Sequence, residues 1–273
     1  MQELKFLSLQ GISKINKLPR SIGKLRNLVI LDLKDCNNLE ALPEEISSLE
    51  NLRYMDISNC YLLRNVPKGL SLLKELQVLK GFIVGDPQSE NLGTLKDLKG
   101  LKKLMKLTII ATSKNFPEDE DFGTLHELQA LRKLTIAWGV EGKKATVLES
   151  VHECLKLGLF QQAAKQKPEG PNDIPPTQLV KLDLRSFPKS TAEWLTPVRL
   201  PKLEKLYIRG GSLATLDKGD WTVKILRLKF LTEIKMTWSE LKKLFPKLDF
   251  LEKVKCPRIS FCPCDEDGVW VKP

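Results

Sequence analysis

This 273-residue sequence predicts an α/β solenoid, a horseshoe with a parallel β-sheet on its concave face and short helical or irregular arms on its convex face. Three observations lead there. First, Leu28, Leu31, Leu33, Cys36, Leu39, Leu42-Pro43, Ile46 and Leu49 are matched one for one, 24 residues later, by Leu52, Met55, Ile57, Cys60, Leu63, Val66-Pro67, Leu70 and Leu73. Second, the apolar positions at the start of each unit alternate as they do in a strand, and the later ones do not. Third, a unit of this length cannot bury its own apolar face and must stack on its neighbours.

The pattern L-x-x-L-x-L-x-x-C-x-x-L-x-x-L-P is the leucine-rich-repeat signature, and it runs beyond those two coils. Strand-starting leucines fall at Leu4, Leu28, Leu52, Leu76, Leu104, Leu131, Leu179, Leu203, Leu231 and Leu251. The first steps are regular; the middle and the C-terminal end are not. Between Leu131 and Leu179, Leu148, Val151, Leu155 and Leu159 recur at helical spacing ahead of a breaker run, Lys167-Pro168-Glu169-Gly170-Pro171 and Pro175-Pro176. Residues 145–178 therefore read as an irregular helical insertion, with a degenerate repeat as the alternative. A solenoid adds coils to one continuous core, so residues 1–273 are expected to form a single elongated domain. Gln2 to Leu9 is already strand-like with no polar cap ahead of it, which makes a fragment of a larger protein the expectation.

Forty-two per cent hydrophobic content is enough for such a core. No stretch approaches eighteen consecutive apolar residues, and no charged-then-apolar leader opens the chain. There is no N-x-S/T sequon, and the cysteines form no paired caps at the chain ends. These absences favour the cytosol.

Cys36 and Cys60 share one slot in consecutive coils, where a small buried residue satisfies the turn after the strand. Cys154 falls in the insertion. Cys256, Cys262 and Cys264 cluster near the end, but zinc prefers four ligands, and His126 and His152 lie far off in sequence. Packed or surface thiols are the expectation, with no metal. The chain has no phosphate loop, no G-x-S-x-G elbow and no H-E-x-x-H pair. Gly81 and Gly85 frame a short run that lacks the third glycine of a phosphate-binding loop. An enzyme is not expected, and neither is a cofactor.

What remains is the concave face, where the third, fifth and seventh positions of each strand unit point outward. The third column reads Phe6, Ile30, Tyr54, Val78, Lys106, Lys133, Lys181, Lys205, Glu233, Lys253. The fifth reads Ser8, Asp32, Asp56, Lys80, Thr108, Thr135, Asp183, Tyr207, Lys235, Lys255, and the seventh includes Phe82, Ile110, Arg185 and Arg209. Phe6, Ile30, Tyr54, Val78 and Phe82 form an apolar patch that reads as an intramolecular interface, or as ladders that stabilise the sheet. Residues 179–258 hold 18 Lys and Arg against 9 Asp and Glu, which concentrates the basic excess of the chain there. Lys181, Arg185, Lys205, Tyr207, Arg209, Lys235 and Trp238 are the candidate partner-binding residues of this basic half. A protein partner is favoured over nucleic acid, because no reader motif or interleaved stacking pattern accompanies the charge.

At these residues a family resemblance enters. Cys36-Asn-Asn-Leu-Glu-Ala-Leu-Pro43 with Ile46-Ser-Ser-Leu-Glu-Asn-Leu52, then Leu76-Gln-Val-Leu-Lys-Gly-Phe-Ile-Val-Gly85 and Leu92-Gly-Thr-Leu-Lys-Asp-Leu98, resembles the repeat domain of plant coiled-coil nucleotide-binding immune receptors (NLR disease resistance proteins). Leu179-Val-Lys-Leu-Asp-Leu184, Phe187-Pro188 and Glu193-Trp194-Leu195 resemble the same domains, closest to the hopZ-activated-resistance type. The resemblance implies that the first repeats restrain a nucleotide-binding switch and that later repeats sense a pathogen effector or a guarded host protein. In the closest type that host protein is a receptor-like cytoplasmic pseudokinase. It also implies a cytoplasmic location, with recruitment to the plasma membrane once the full receptor is activated. ATP or ADP would belong to a nucleotide-binding module outside this chain. A ubiquitin-ligase substrate adaptor and a receptor ectodomain are the alternative readings, although ectodomain repeats more often show a G-x-I-P turn than the Leu-Pro of Leu18-Pro19 and Leu42-Pro43.

Overall fold

One strand per coil builds the sheet. The computed structural model describes residues 3–63, 66–85, 93–139, 177–217 and 219–273. Strands β1 (Phe6–Ser8), β2 (Ile30–Asp32), β3 (Tyr54–Asp56), β4 (Val78–Val84), β5 (Lys106–Ala111), β6 (Lys133–Trp138), β7 (Lys181–Phe187), β8 (Lys205–Gly211) and β9 (Ile225–Lys229) pair in chain order, each parallel to the next. The short β10 (Met236–Thr237) leaves the sheet and pairs with β12 (Ile259–Ser260). β11 (Phe250–Val254) continues the main sheet beside β9, and β13 (Val269–Val271) closes it antiparallel to β11. Parallel neighbours require a crossover, and where the connections are described they run through the return arms of the solenoid.

The arms are short because proline sets them. Pro19, Pro43 and Pro67 stand at the N-caps of 3-10 turns Arg20–Lys24, Glu44–Ser48 and Lys68–Leu72, and their carbonyls accept from Ile22, Ile46 and Leu70 at 3.0, 3.1 and 3.3 Å. Proline fixes φ near the value such a turn needs and gives up an N–H that would have no partner there. A fourth turn, Leu95–Leu98, is held by a capping box between Thr94 and Asp97. Helices α1 (Asp119–Glu127) and α2 (Trp238–Leu244) replace the 3-10 arm in two later coils.

The register of the first coils is as the repeat predicts. Leu31, Leu33, Met55 and Ile57 are fully buried, and the core runs unbroken from Leu18 to Ile259. The Cys36 and Cys60 thiols donate to the Leu9 and Leu33 carbonyls of the preceding coils at 3.0 and 3.1 Å. Cys256 does the same toward Leu228 at 3.3 Å. It is therefore a third member of that ladder, and it also lines one surface pocket with Cys262 and Cys264. The residue before each of these cysteines, Asp35, Asn59 and Lys255, has φ between 52° and 62°, and Asn59 donates to the Asp35 carboxylate at 2.7 Å. Asn and Asp tolerate this left-handed geometry better than most residues.

Two expectations need correction. Phe82 does not face outward. Pairing shifts between Lys80 and Phe82, so Phe82 aligns with the buried Ile109, and Ile83 takes the outward place beside Ile110. Gly81 makes this bulge possible: its φ is +81°, and a Cβ there would lie 2.5 Å from the Ser58 nitrogen. At the C-terminal end the coils start at Val223 and Leu248, because Lys205 pairs with Ile225 and Ile225 with Phe250. Leu231 and Leu251 are buried but do not begin strand units. Apart from Thr177 and Gln178, the insertion expected over 145–178 lies outside the described residues.

Candidate functional site

Strand register turns the sequence columns into rows of adjacent side chains. The third-position row runs Phe6, Ile30, Tyr54, Val78, Lys106, Lys133, Lys181, Lys205, Ile225, Phe250. Four lysines on consecutive strands are thus flanked by apolar residues on both sides. The Glu233 and Lys253 expected at the end of this row are replaced by Ile225 and Phe250, and the Lys235 and Lys255 of the fifth row by Arg227 and Glu252. The lysine row occupies the middle of the face, on β5 to β8, and Arg185, Arg209, Arg227 and Lys229 continue the positive charge on β7 to β9.

The outward side chains from β3 to β8 line a groove of about 790 Å³. Residues as far apart in chain order as Asp56 and Tyr207 share its wall, so the sheet surface is concave. Within the groove the carboxylates are already engaged. Asp56, almost fully buried, accepts from the Lys80 ammonium at 2.9 Å and from the Tyr54 hydroxyl at 3.0 Å. Burial pushes the Asp56 carboxyl up, and the hydrogen bonds from Lys80 and Ser58 outweigh it, leaving the pKa below its usual value. Asp183 is held by Arg185 at 2.8 Å. Beyond the groove, on β11, Glu252 takes both Arg227 and Lys229.

The four lysines have no such partner. Among the described residues none of Lys106, Lys133, Lys181 and Lys205 forms a salt bridge with a carboxylate. Lys181 instead sits 4.1 Å from the centre of the Tyr207 ring, whose π system also receives Arg227 at 4.9 Å. Burial, followed by the neighbouring cations, lowers the pKa of Lys106. Burial leads in lowering Lys181 as well, with Lys106, Arg227 and Lys133 adding to it against the opposing Asp183. Both ammonium groups are less comfortable charged than they would be in water.

The expected site residues divide accordingly. Lys181, Arg185, Lys205, Tyr207 and Arg209 lie together on β7 and β8 and face outward. Lys235 does not join them, because it follows the turn after β9 and precedes β10, outside the main sheet. Trp238 opens α2 and packs edge-on against Trp270 at 4.8 Å, so it belongs to the C-terminal closure. Trp221 is buried against Phe245. Phe6, Ile30 and Val78 form the apolar row as expected, whereas Tyr54 spends its hydroxyl on the Asp56–Lys80 pair and Phe82 is core. Lys106 and Lys133 complete the row and could have been picked from their column, which already placed them between Val78 and Lys181.

A family model described as a leucine-rich repeat region matches residues 1–256. The chain belongs to the leucine-rich-repeat family. The likeness to plant resistance proteins read from its motifs is borne out by Disease resistance RPP13-like protein 4 of Arabidopsis thaliana, 30% identical over 110 residues, 36% of this chain and 13% of that protein. The chain thus corresponds to a small part of that relative. A solved leucine-rich-repeat protein of Leptospira interrogans aligns over 88% of this chain and 63% of its own at 19% identity and a TM-score of 0.37. Leucine-rich-repeat coils are typically interaction scaffolds, which fits a face built of an open groove. Among the described residues no helix is long and apolar enough to cross a membrane, and no group of three or more His, Cys, Asp or Glu could hold a metal ion.

Proposed function

We propose that this leucine-rich-repeat chain is a non-catalytic recognition and autoinhibition module of a cytoplasmic plant immune receptor. The observation that carries the reading is the row Lys106, Lys133, Lys181 and Lys205, four cations in register in a groove whose own carboxylates are already paired. Lys106, Lys181 and Lys205 are partly buried and Lys133 is exposed; leaving partly buried ammonium groups without counter-charges costs stability, and a partner that supplies those charges recovers it. The partner is a guarded host kinase or pseudokinase, or a pathogen effector. The apolar row of Phe6, Ile30 and Val78 serves the intramolecular contact with a nucleotide-binding domain, where ATP or ADP exchange would take place. The relative named as a disease resistance protein supports this assignment.

The test uses the full-length receptor at matched expression. Ile30→Glu with Val78→Glu puts carboxylates into the apolar row and should give signalling without a pathogen. Lys133→Glu with Lys181→Glu should abolish partner capture while the resting state stays quiet. Undiminished capture by the second variant at both low and high salt would overturn the recognition role of the groove.

A further inference from the structure

The lysine row has a spacing as well as a charge, and the spacing selects the shape of what binds. Neighbouring strands in a sheet lie about 4.7–4.9 Å apart. Because Lys106, Lys133, Lys181 and Lys205 are direct register partners on β5, β6, β7 and β8, the row spans roughly 14 Å in three equal steps. A ligand lying across the strands must offer negative charges at about that interval. An extended peptide presents same-face side chains every ~6.6–6.8 Å and covers roughly 20 Å in three steps, so it falls out of phase by more than a full lysine. An α-helix rises 1.5 Å per residue, and its same-face positions i, i+3, i+7 and i+10 cover about 15 Å.

We infer that the groove docks an α-helix of the partner protein, lying across strands β5 to β8 and presenting acidic residues at i, i+3, i+7 and i+10 to the row Lys106, Lys133, Lys181, Lys205. The inference deepens the partner-binding reading above and rests on it. The dimensions agree. A helix about 10–12 Å across and ~15 Å long, half sunk in the groove, fills on the order of 600–850 Å³, which the groove of about 790 Å³ running from β3 to β8 has room to take only in part, leaving the outer face of the helix in solvent. The flanking row residues agree too, since Val78 and Ile225 bound the lysines at either end and can cover apolar side chains one turn beyond the acidic ones. Tyr207 holds Lys181 and Arg227 against its ring and so fixes the third lysine in place beside the docked helix.

The experiment measures binding of three synthetic peptides of equal length and charge to the whole chain. One is held helical by a staple on its far face and carries glutamates at positions 1, 4, 8 and 11. The second is stapled likewise with its four glutamates consecutive at one end, and the third carries the first pattern but a central D-proline that prevents a helix. The spaced helix should bind at least tenfold more tightly than either of the other two. Each of Lys133→Gln and Lys181→Gln should weaken it roughly two- to fivefold, with thermal stability of the free chain unchanged or raised. Equal binding of all three peptides would reduce the row to a non-specific polyanion patch and overturn the helix. So would preference for the D-proline peptide, which would point to an extended segment. Absence of binding by every peptide also overturns it. In each of these cases partner capture by the Lys133→Glu, Lys181→Glu receptor still decides the broader reading on its own.

Discussion

Lys80 reaches back across one strand to place its ammonium 2.9 Å from the nearly buried Asp56 carboxylate, at the point where the apolar row gives way to the lysines. The same ammonium contacts the Tyr54 hydroxyl at 2.6 Å and lies over its ring. This pair is the only concave-face contact among the described residues that joins an acid this deeply buried to a cation, and it marks where charge on the groove floor begins to be left over.

Removing the cation should expose the cost of that burial. Lys80→Met is expected to destabilise the chain by about 1–3 kcal/mol at neutral pH, less than for a fully buried pair because Lys80 is itself partly exposed. In the parent, the Asp56 carboxyl titrates below its ordinary 3.8, so its contribution is present above that pH and is lost as pH falls through the folded pKa. In the variant the Lys80 hydrogen bond and charge are gone while the bonds from Ser58 and Tyr54 remain, so the carboxyl titrates higher than in the parent and the gap between the two proteins should narrow between neutral pH and about pH 3. Urea denaturation at the two pH values checks this; a gap that persists in acid would mean that the loss was one of packing.

The bulge gives a second expectation. Phe82→Ala should cost about 3–5 kcal/mol, as for a buried aromatic, and Gly81→Ala should also destabilise, since both its φ and the closeness of the Ser58 backbone exclude a side chain. An outward Phe82 would instead tolerate truncation to within about 0.5 kcal/mol. Chemical denaturation of the two variants distinguishes these outcomes.

Much of this architecture could be read from residue spacing alone. Leu28 to Leu73 carry an intact consensus, and the strands, the proline-led arms and the cysteine ladder follow from it. Two things escaped. A one-residue bulge at Gly81 inverts the facing of everything after it in β4, and period-two reasoning has no means of seeing an inserted residue. At the C-terminal end Val223 and Leu248 begin coils of unequal length, while the more conspicuous Leu231 and Leu251 fill later slots. Cys256 could have fixed that register, because it stands eight residues after Leu248, as Cys36 does after Leu28. The site was legible in part. The lysine column was visible, but its isolation from counter-charge depends on Asp56 and Asp183 being spent on Lys80 and Arg185, which only the fold shows.

Thiol reactivity should follow the ladder. Burial pushes Cys60 up to about 12 and raises Cys36 and Cys256 as well, so all three remain protonated at pH 8. Cys262, pushed by burial to about 11, and Cys264 are more accessible. Alkylation of the native chain at pH 8 followed by peptide mapping should mark Cys262 and Cys264 well before the three ladder thiols. Since the folded pKa of Cys60 is raised, its contribution to stability is complete below pH 9 and declines as pH rises from 9 toward 12. Elemental analysis should find no stoichiometric zinc; one bound zinc per chain would show that the terminal thiols act as ligands after all.

The lysine row should cost the free chain stability. Lys106 and Lys181 flank Lys133, and both are lowered by burial and by neighbouring cations. A lysine whose folded pKa is depressed opposes folding while it is charged, and stability recovers as pH rises through that pKa toward 10.5. Lys106→Gln and Lys181→Gln should therefore hold or raise the melting temperature at pH 7. The gain should shrink as salt screens the repulsion, because these ammonium groups are only partly buried. Thermal melts at low and high ionic strength provide the measurement. Melting temperatures that fall in both variants, at either salt, would show that the lysines contribute to the fold through packing, and the groove would then hold no unmet charge for a partner to satisfy.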